Sequence, residues 1–141
     1  MMTIKVTDKD YPLSQNRREL LNTPGGINID DIDFDSICSG AVSGDDCRIS
    51  SESLLMQADI AETAGYPHVA DNFRRAAEMV SIDSERLIEI YNALRPYRSS
   101  EEELIGISEE LEEKYHACRT AAFVRSAASV LKQRNRLKGD R

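Results

Sequence analysis

The stretch that most constrains the fold is residues 71–100, which read DNFRRAAEMVSIDSERLIEIYNALRPYRSS. Apolar side chains recur in it at intervals of three and four residues, the spacing that places them on one face of a helix. Asp83 is a predicted N-terminal cap, and Pro96 ends the helix that follows, because a proline disfavours the helical conformation of the residue before it. The stretch offers no nucleophile, no paired acid and base, and no metal cluster. We interpret it as a segment that packs against another protein.

The helical period extends over residues 49–141, which we predict to be a helical domain. The predicted helices begin at Ser50 or Ser51, after Pro67, at Asp83, and at Ser99 or Ser100. Gly65 ends the first of them, because glycine accepts the positive φ that often follows a helix. In the third helix, one face is predicted to carry Leu87, Ile90, Tyr91 and Leu94.

The fourth helical pattern opens with two overlapping capping boxes and then runs without Gly or Pro over residues 107–138. Its charges are sorted, with seven Glu in residues 101–113 and eight Lys or Arg in residues 114–141. We interpret this order as opposing the helix dipole. One helix of that reach would be roughly 55 Å long, so it either breaks near residues 117–119 or protrudes. Its second half is apolar nearly all round, which favours cover by a partner protein.

Residues 1–48 are predicted to form an irregular N-terminal arm. TIKV at residues 3–6 could form a short strand, and TPGG at residues 23–26 is typical of a loop. Ile32, Phe34 and Ile37 could anchor a short helix that ends at Ser39-Gly40. The fold class is therefore all-α: an open up-and-down helical bundle of three to four main helices with an irregular arm.

The composition excludes several classes of function. The net charge of −7 disfavours nucleic acid and anionic membrane as partners. The three cysteines form no CxxC pair and are odd in number, which indicates reduced, partly buried thiols rather than a disulfide framework. No apolar run is long enough for a signal peptide or a membrane span. We therefore expect a soluble, intracellular protein.

Candidate metal sites are incomplete in the sequence. Asp31, Asp33 and Asp35 resemble the start of a calcium loop, but Ser36 replaces the required Gly and Val42 replaces the bidentate Glu. This favours a solvated acidic loop. Residues 113–116 read E-x-x-H, half of a di-iron motif that needs a second E-x-x-H and two further Glu.

Candidate nucleophiles and phosphate sites are also weak. His116 is predicted to be a helix-surface residue, and Cys118 to lie on an apolar helical surface away from any helix N-terminus. Gly25-Gly26 is not part of a phosphate-binding motif. The remaining candidates are arginines that either dock a partner or bridge helices within the chain: Arg74, Arg75, Arg95 and Arg98.

Residues 72–104, NFRRAAEMVSIDSERLIEIYNALRPYRSSEEEL, closely resemble the small (gamma) subunit of adenosylcobalamin-dependent diol and glycerol dehydratases. Shorter matches are DYPL at residues 10–13, RIS at 48–50, QA-x-IA at 57–61, AAFVR at 121–125 and LKG at 137–139. The resemblance is weakest over residues 14–46.

The resemblance implies a heterohexamer of two copies each of a large, a medium and a small subunit. The large subunit would be a β/α barrel that holds the substrate, and adenosylcobalamin would be bound by other subunits, with no cofactor on this chain. The holoenzyme would convert a 1,2-diol or glycerol to an aldehyde by radical dehydration. The small subunit would contribute no catalytic residue, and the choice between glycerol and propane-1,2-diol would be made in another chain.

The expected role is to cover and stabilise the large catalytic subunit. The predicted contact residues are Tyr91, Arg95, Tyr97, Arg98, Phe123 and Arg125. The resemblance implies a cytoplasmic location, or entry into a bacterial microcompartment through other subunits, since the chain begins without the N-terminal extension that some members carry. The alternative is a non-enzymatic helical adaptor or regulatory binding module.

Overall fold

The structure is a computed structural model that describes residues 5–140. These residues form helices and turns without a named β-strand, which confirms the all-α prediction. The helices are α1 (Leu13–Asn16), α2 (Phe34–Cys38), α3 (Ser51–Thr63), α4 (Pro67–Met79), α5 (Ser84–Ala93), α6 (Glu101–Glu113) and α7 (Cys118–Gln133). The chain divides into two compact units, the first ending at Ala77 and the second beginning at Glu78. The predicted domain boundary at residue 48 stays a prediction.

In the first unit, the N-terminal segment packs on α3. Val6 and Leu13 are buried against Ile60 of α3, and the backbone N–H of Asp8 donates to Thr63 Oγ1 at 2.8 Å. Ser50 caps α3 by accepting from the Ser53 N–H, as the sequence predicts. Of the strand suggested at residues 3–6, the first two residues lie outside the described ones, and the other two are not in a strand.

Helix α4 approaches α3 through small side chains. Ala58, Ala61 and Ala70 are buried together, with Phe73 packed against them. Between the two helices the chain turns at Gly65, whose φ of +86° confirms the predicted stop. The contact between α3 and α4 is therefore made by small side chains and one phenylalanine.

The predicted short helix of the arm is α2. Asp33 accepts from the Ser36 N–H at 2.8 Å and Ser36 reciprocates, so a capping box starts the helix. The expectation that apolar side chains anchor α2 is wrong for two of them, because Phe34 is 79% exposed and Ile37 is 55% exposed. Local capping, not burial of these side chains, therefore specifies α2.

In the second unit, α5, α6 and α7 surround one core. Its buried members are Ile82, Ile90, Leu104, Leu111, Ala117, Ala121, Val124 and Ala128. The fourth helical pattern is broken into two helices, since α6 ends at Glu113 and α7 begins at Cys118. Of the two predicted alternatives, a break and one protruding helix, the break is the one that occurs. His116 occupies the turn with a φ of +54°, and the Ala117 N–H donates back to the Leu111 carbonyl at 2.9 Å.

The break turns α7 back along α6, and this explains the charge sorting. Glu112 near the end of α6 pairs with Arg125, while Glu101 at the start of α6 pairs with Lys132 near the end of α7. The helices are therefore antiparallel, and the acidic half of the pattern lies beside the basic half. The order of acidic and basic residues is therefore explained by ion pairs between two antiparallel helices. The interpretation that these charges oppose the dipole of one long helix is not needed.

Helix α7 starts without a capping side chain of its own, because Ala117 stands at its N-cap. The carboxylate of Glu78 takes that place, accepting from the Arg119 N–H at 3.0 Å and from the Thr120 N–H and hydroxyl at 2.8 Å each. At the start of α6, the Ser100–Glu103 capping box forms as predicted. The overlapping box from Ser99 is not the one that forms at this N-terminus.

Candidate partner interface

The six predicted contact residues all lie in the second unit. Tyr91 is on α5, and Arg95, Tyr97 and Arg98 lie in the turn that follows it. The remaining two, Phe123 and Arg125, are on α7. Residues two positions apart on a helix are separated by about 200° around its axis. Phe123 and Arg125 therefore point to opposite sides of α7, and the six residues do not form one flat surface.

Helix α5 carries an exposed stripe opposite its core face. Ile88 is 61% exposed and Tyr91, three positions later on the same helix, is 70% exposed. Arg95 follows beyond the end of α5 and is also exposed. The prediction that Tyr91 shares a face with Ile90 is wrong, because Ile90 is buried in the core while Tyr91 points outward. Sequence reasoning missed Ile88, although the i, i+3, i+7 spacing of Ile88, Tyr91 and Arg95 was visible in the sequence.

The turn after α5 is held by the C-terminal segment. Tyr97 has a φ of +65°, its N–H donates to the Arg136 carbonyl at 2.6 Å, and its hydroxyl accepts from Arg136 Nη1 at 2.7 Å. The Arg136 guanidinium also lies over the Tyr97 ring, 5.3 Å from its centre. A further backbone bond joins the Lys138 N–H to the Ser99 carbonyl at 3.0 Å. Tyr97 therefore orders the turn, and Arg136 is a member of the site that the sequence did not reveal.

The structure separates the four arginines whose roles the sequence left open. Arg74 of α4 pairs with Glu62 of α3, so it bridges helices within the chain. Arg75 donates to Asn72 on its own helix. The side chains of Arg95 and Arg98 are exposed and form no ion pair within residues 5–140. A docking role stays a prediction for these last two.

Helix α7 is covered on one side by its own unit. Ala121, Val124 and Ala128 are buried, whereas Phe123 is 49% exposed and Val130 is also exposed. On another side Arg125 is half-buried in its pair with Glu112. The exposed side carries small and apolar residues, which fits the prediction that this helix needs cover from a partner.

Two predictions about the cysteines are wrong. All three thiols are free and exposed, not partly buried. Cys118 is also the first residue of α7 and so lies at a helix N-terminus, because the turn at residues 114–117 separates it from α6. His116 lies in that turn, not on a helix surface, and so the E-x-x-H spacing is not helical.

The described residues contain no group of three or more His, Cys, Asp or Glu side chains placed to hold a metal ion. In the arm, hydrogen bonds from the Ser36 N–H and hydroxyl lower the pKa of Asp33, which acts as a helix cap. An apolar cavity of about 230 Å³ lies between Ile32 and Cys47, below the roughly 300–1,000 Å³ of small-molecule sites. A corrinoid is larger than most such ligands, so it does not fit in this cavity.

Within residues 5–140, no helix is both long and apolar enough to cross a membrane.

Comparison with known proteins covers nearly the whole chain. A model of the family described as "Dehydratase small subunit" matches residues 6–138. The propanediol dehydratase small subunit of Citrobacter freundii is 46% identical over 138 residues, which are 98% of this chain and 79% of that protein. The protein of the same name from Salmonella typhimurium is 46% identical over 131 residues, which are 93% of this chain and 76% of that protein.

Proposed function

The chain belongs to the dehydratase small-subunit family, and from that premise we propose that it is the small subunit of an adenosylcobalamin-dependent propanediol or glycerol dehydratase. One observation carries the proposal: 46% identity with a propanediol dehydratase small subunit extends over 98% of the chain. The reaction would be the radical dehydration of a 1,2-diol or of glycerol to an aldehyde. In the part of the chain that the structure describes, no feature favours a free-standing adaptor.

The proposed role is to cover and stabilise the large subunit. Exposed apolar side chains support this role, because contiguous exposed apolar surface marks interaction sites. We propose that Tyr91, Arg95, Arg98 and Phe123 contact the partner directly. Tyr97 and Arg125 belong to the same predicted interface, and their bonds to Arg136 and Glu112 indicate that they hold its shape.

The cofactor is proposed to be bound by other subunits. Adenosylcobalamin needs a large cleft, and the cavity in the arm is too small for it. The chemistry would then belong to the large and medium subunits, in a heterohexamer with two copies of each chain. We further propose that this chain works in the cytoplasm, or in a bacterial microcompartment that it enters through the other subunits.

Co-expression tests the proposal. The chain, carrying an affinity tag, is produced together with large and medium subunits of a propanediol dehydratase, and the purified material is separated by size exclusion. We expect all three chains to elute together, and Phe123→Asp to weaken that assembly more than it unfolds the isolated chain. Elution of this chain apart from the large subunit would support the adaptor instead. Equal loss of assembly and folding in Phe123→Asp would make Phe123 a core residue.

A further inference from the structure

We propose that the α5 stripe and the arginines of the turn behind it dock on an apolar patch of the large subunit that is bordered by carboxylates. We call this surface the arginine corner, and it consists of Ile88, Tyr91, Arg95, Arg98 and Arg136. This proposal rests on the proposed function, and it adds the chemistry of the surface on the large subunit that this chain would cover.

The charges of the corner support this docking. The chain has a net charge of −7 and thirteen arginines, six of which form ion pairs with acids among the described residues. Ion pairs engage Arg17, Arg18, Arg48, Arg74, Arg86 and Arg125. Arg95 and Arg98 form none within residues 5–140, although acids outnumber bases in the chain by 25 to 18. Two guanidinium groups left available on an acidic protein complement carboxylates of a partner, while the rest of the surface would repel them.

The corner combines apolar and cationic side chains. Ile88 and Tyr91 expose apolar side chains three positions apart on α5, and Arg95 lies in the turn that follows the helix. Tyrosine and arginine are enriched among the residues that dominate binding energy, since both combine contact area with directed hydrogen bonds. An apolar centre beside two cations fits a protein surface better than a polyphosphate or an anionic membrane. A polyanion would also be repelled by the chain's net negative charge.

The turn that carries the two arginines is held in place by several bonds. Tyr97 is fixed on both sides, by its backbone bond to the Arg136 carbonyl and by the Arg136 guanidinium over its ring. The Lys138–Ser99 backbone bond closes the same turn. Arg95 and Arg98 therefore project from an ordered backbone, so less conformational entropy is lost when they bind. Arg136 has five donors and spends one on the Tyr97 hydroxyl, which leaves others for the partner.

The test measures the dissociation constant between the full-length chain and a purified complex of the large and medium subunits, at about 50 and about 300 mM salt. The double variant Arg95→Gln/Arg98→Gln should raise the constant by about 10- to 100-fold at low salt, and its salt dependence should be weaker than that of the wild type. Ile88→Ser should also raise the constant but leave the salt dependence unchanged. Because these side chains are exposed, the thermal unfolding of the isolated variants should match the wild type.

Arg48→Gln is the matched control, since Arg48 is an exposed arginine outside the corner. If the double variant binds like Arg48→Gln while Phe123→Asp weakens binding, the docking role of the arginine corner is refuted and the proposed function stands. If the wild type does not bind the complex at all, both fail. Loss of self-association in the double variant, with binding to the complex unchanged, would show that the corner joins two copies of this chain and would also overturn the inference.

Discussion

The carboxylate of Glu78 is predicted to stabilise α7 from outside the helix. Replacing Glu78 with Ala removes the acceptor for two N–H groups in the first turn of α7 and for the Thr120 hydroxyl. Loss of a side-chain cap costs about 1 kcal/mol, and loss of a negative charge at a helix N-terminus costs about 0.3–1 kcal/mol more. Thr120 is buried, so water cannot fully replace the lost bonds. We expect a total of about 2 kcal/mol.

Urea unfolding followed by circular dichroism measures this effect. With a slope of about 1.5 kcal/mol per molar urea, a loss of about 2 kcal/mol lowers the midpoint by about 1.3 M. Glu78→Gln keeps one acceptor oxygen but no charge, and it should fall between the wild type and Glu78→Ala. Hydrogen exchange should show faster exchange of the Arg119 and Thr120 amides in Glu78→Ala.

Glu109→Ala is the control, because Glu109 is an exposed glutamate of α6 and its loss should change the free energy of unfolding by no more than about 0.5 kcal/mol. If Glu78→Ala unfolds at the same urea concentration as Glu109→Ala, the account of how α7 begins is refuted. The same conclusion would follow if the two amides kept their protection from exchange.

Three further predictions concern the second unit. Leu111→Ala removes a fully buried side chain from its core and should destabilise the chain by about 2–5 kcal/mol in urea unfolding, whereas a loss below about 1 kcal/mol would contradict that core. The hydrogen bonds from Arg86 hold the pKa of Glu110 below its ordinary value, so the ionised Glu110 stabilises the fold above the ordinary pKa, and this stabilisation is lost as pH falls through the lowered pKa. The free energy of unfolding of Glu110→Gln should therefore depend less on pH in that range. An unchanged pH dependence would show that the Arg86–Glu110 pair does not cause it. His116→Gly should raise the melting temperature, since glycine adopts the φ of +54° more easily, and a lower melting temperature would mean that the His116 side chain stabilises the turn.

Local signals made much of the fold predictable. Ser50, Gly65 and Ser100 act through bonds to residues a few positions away, so the sequence alone identifies the helix ends that they form. The recurrence of apolar residues every three or four positions reflects which face of each helix is buried. It can be read from the sequence in the same way. Asp83 is a partial exception, because it stands at the predicted cap but its side chain makes no capping bond.

Long-range contacts account for what the sequence did not reveal. Glu78 caps a helix that begins forty residues later, and Arg136 meets Tyr97 across a similar distance. The exposure of Cys118 follows from the turn at residues 114–117, whose position was predicted only as one of two alternatives. Tyr91 was misassigned because its spacing fits the core face and the exposed stripe almost equally well. For Glu78 and Arg136, the deciding partner therefore lies far away in the sequence.

The most direct test of the central claim is reconstitution. The large and medium subunits are purified without this chain, and aldehyde formation from propane-1,2-diol is measured with adenosylcobalamin before and after the purified chain is added. We predict that addition raises the activity and its stability over time, and that the chain then migrates with the other two subunits. Unchanged activity, with the added chain remaining separate, would contradict its assignment as the dehydratase small subunit.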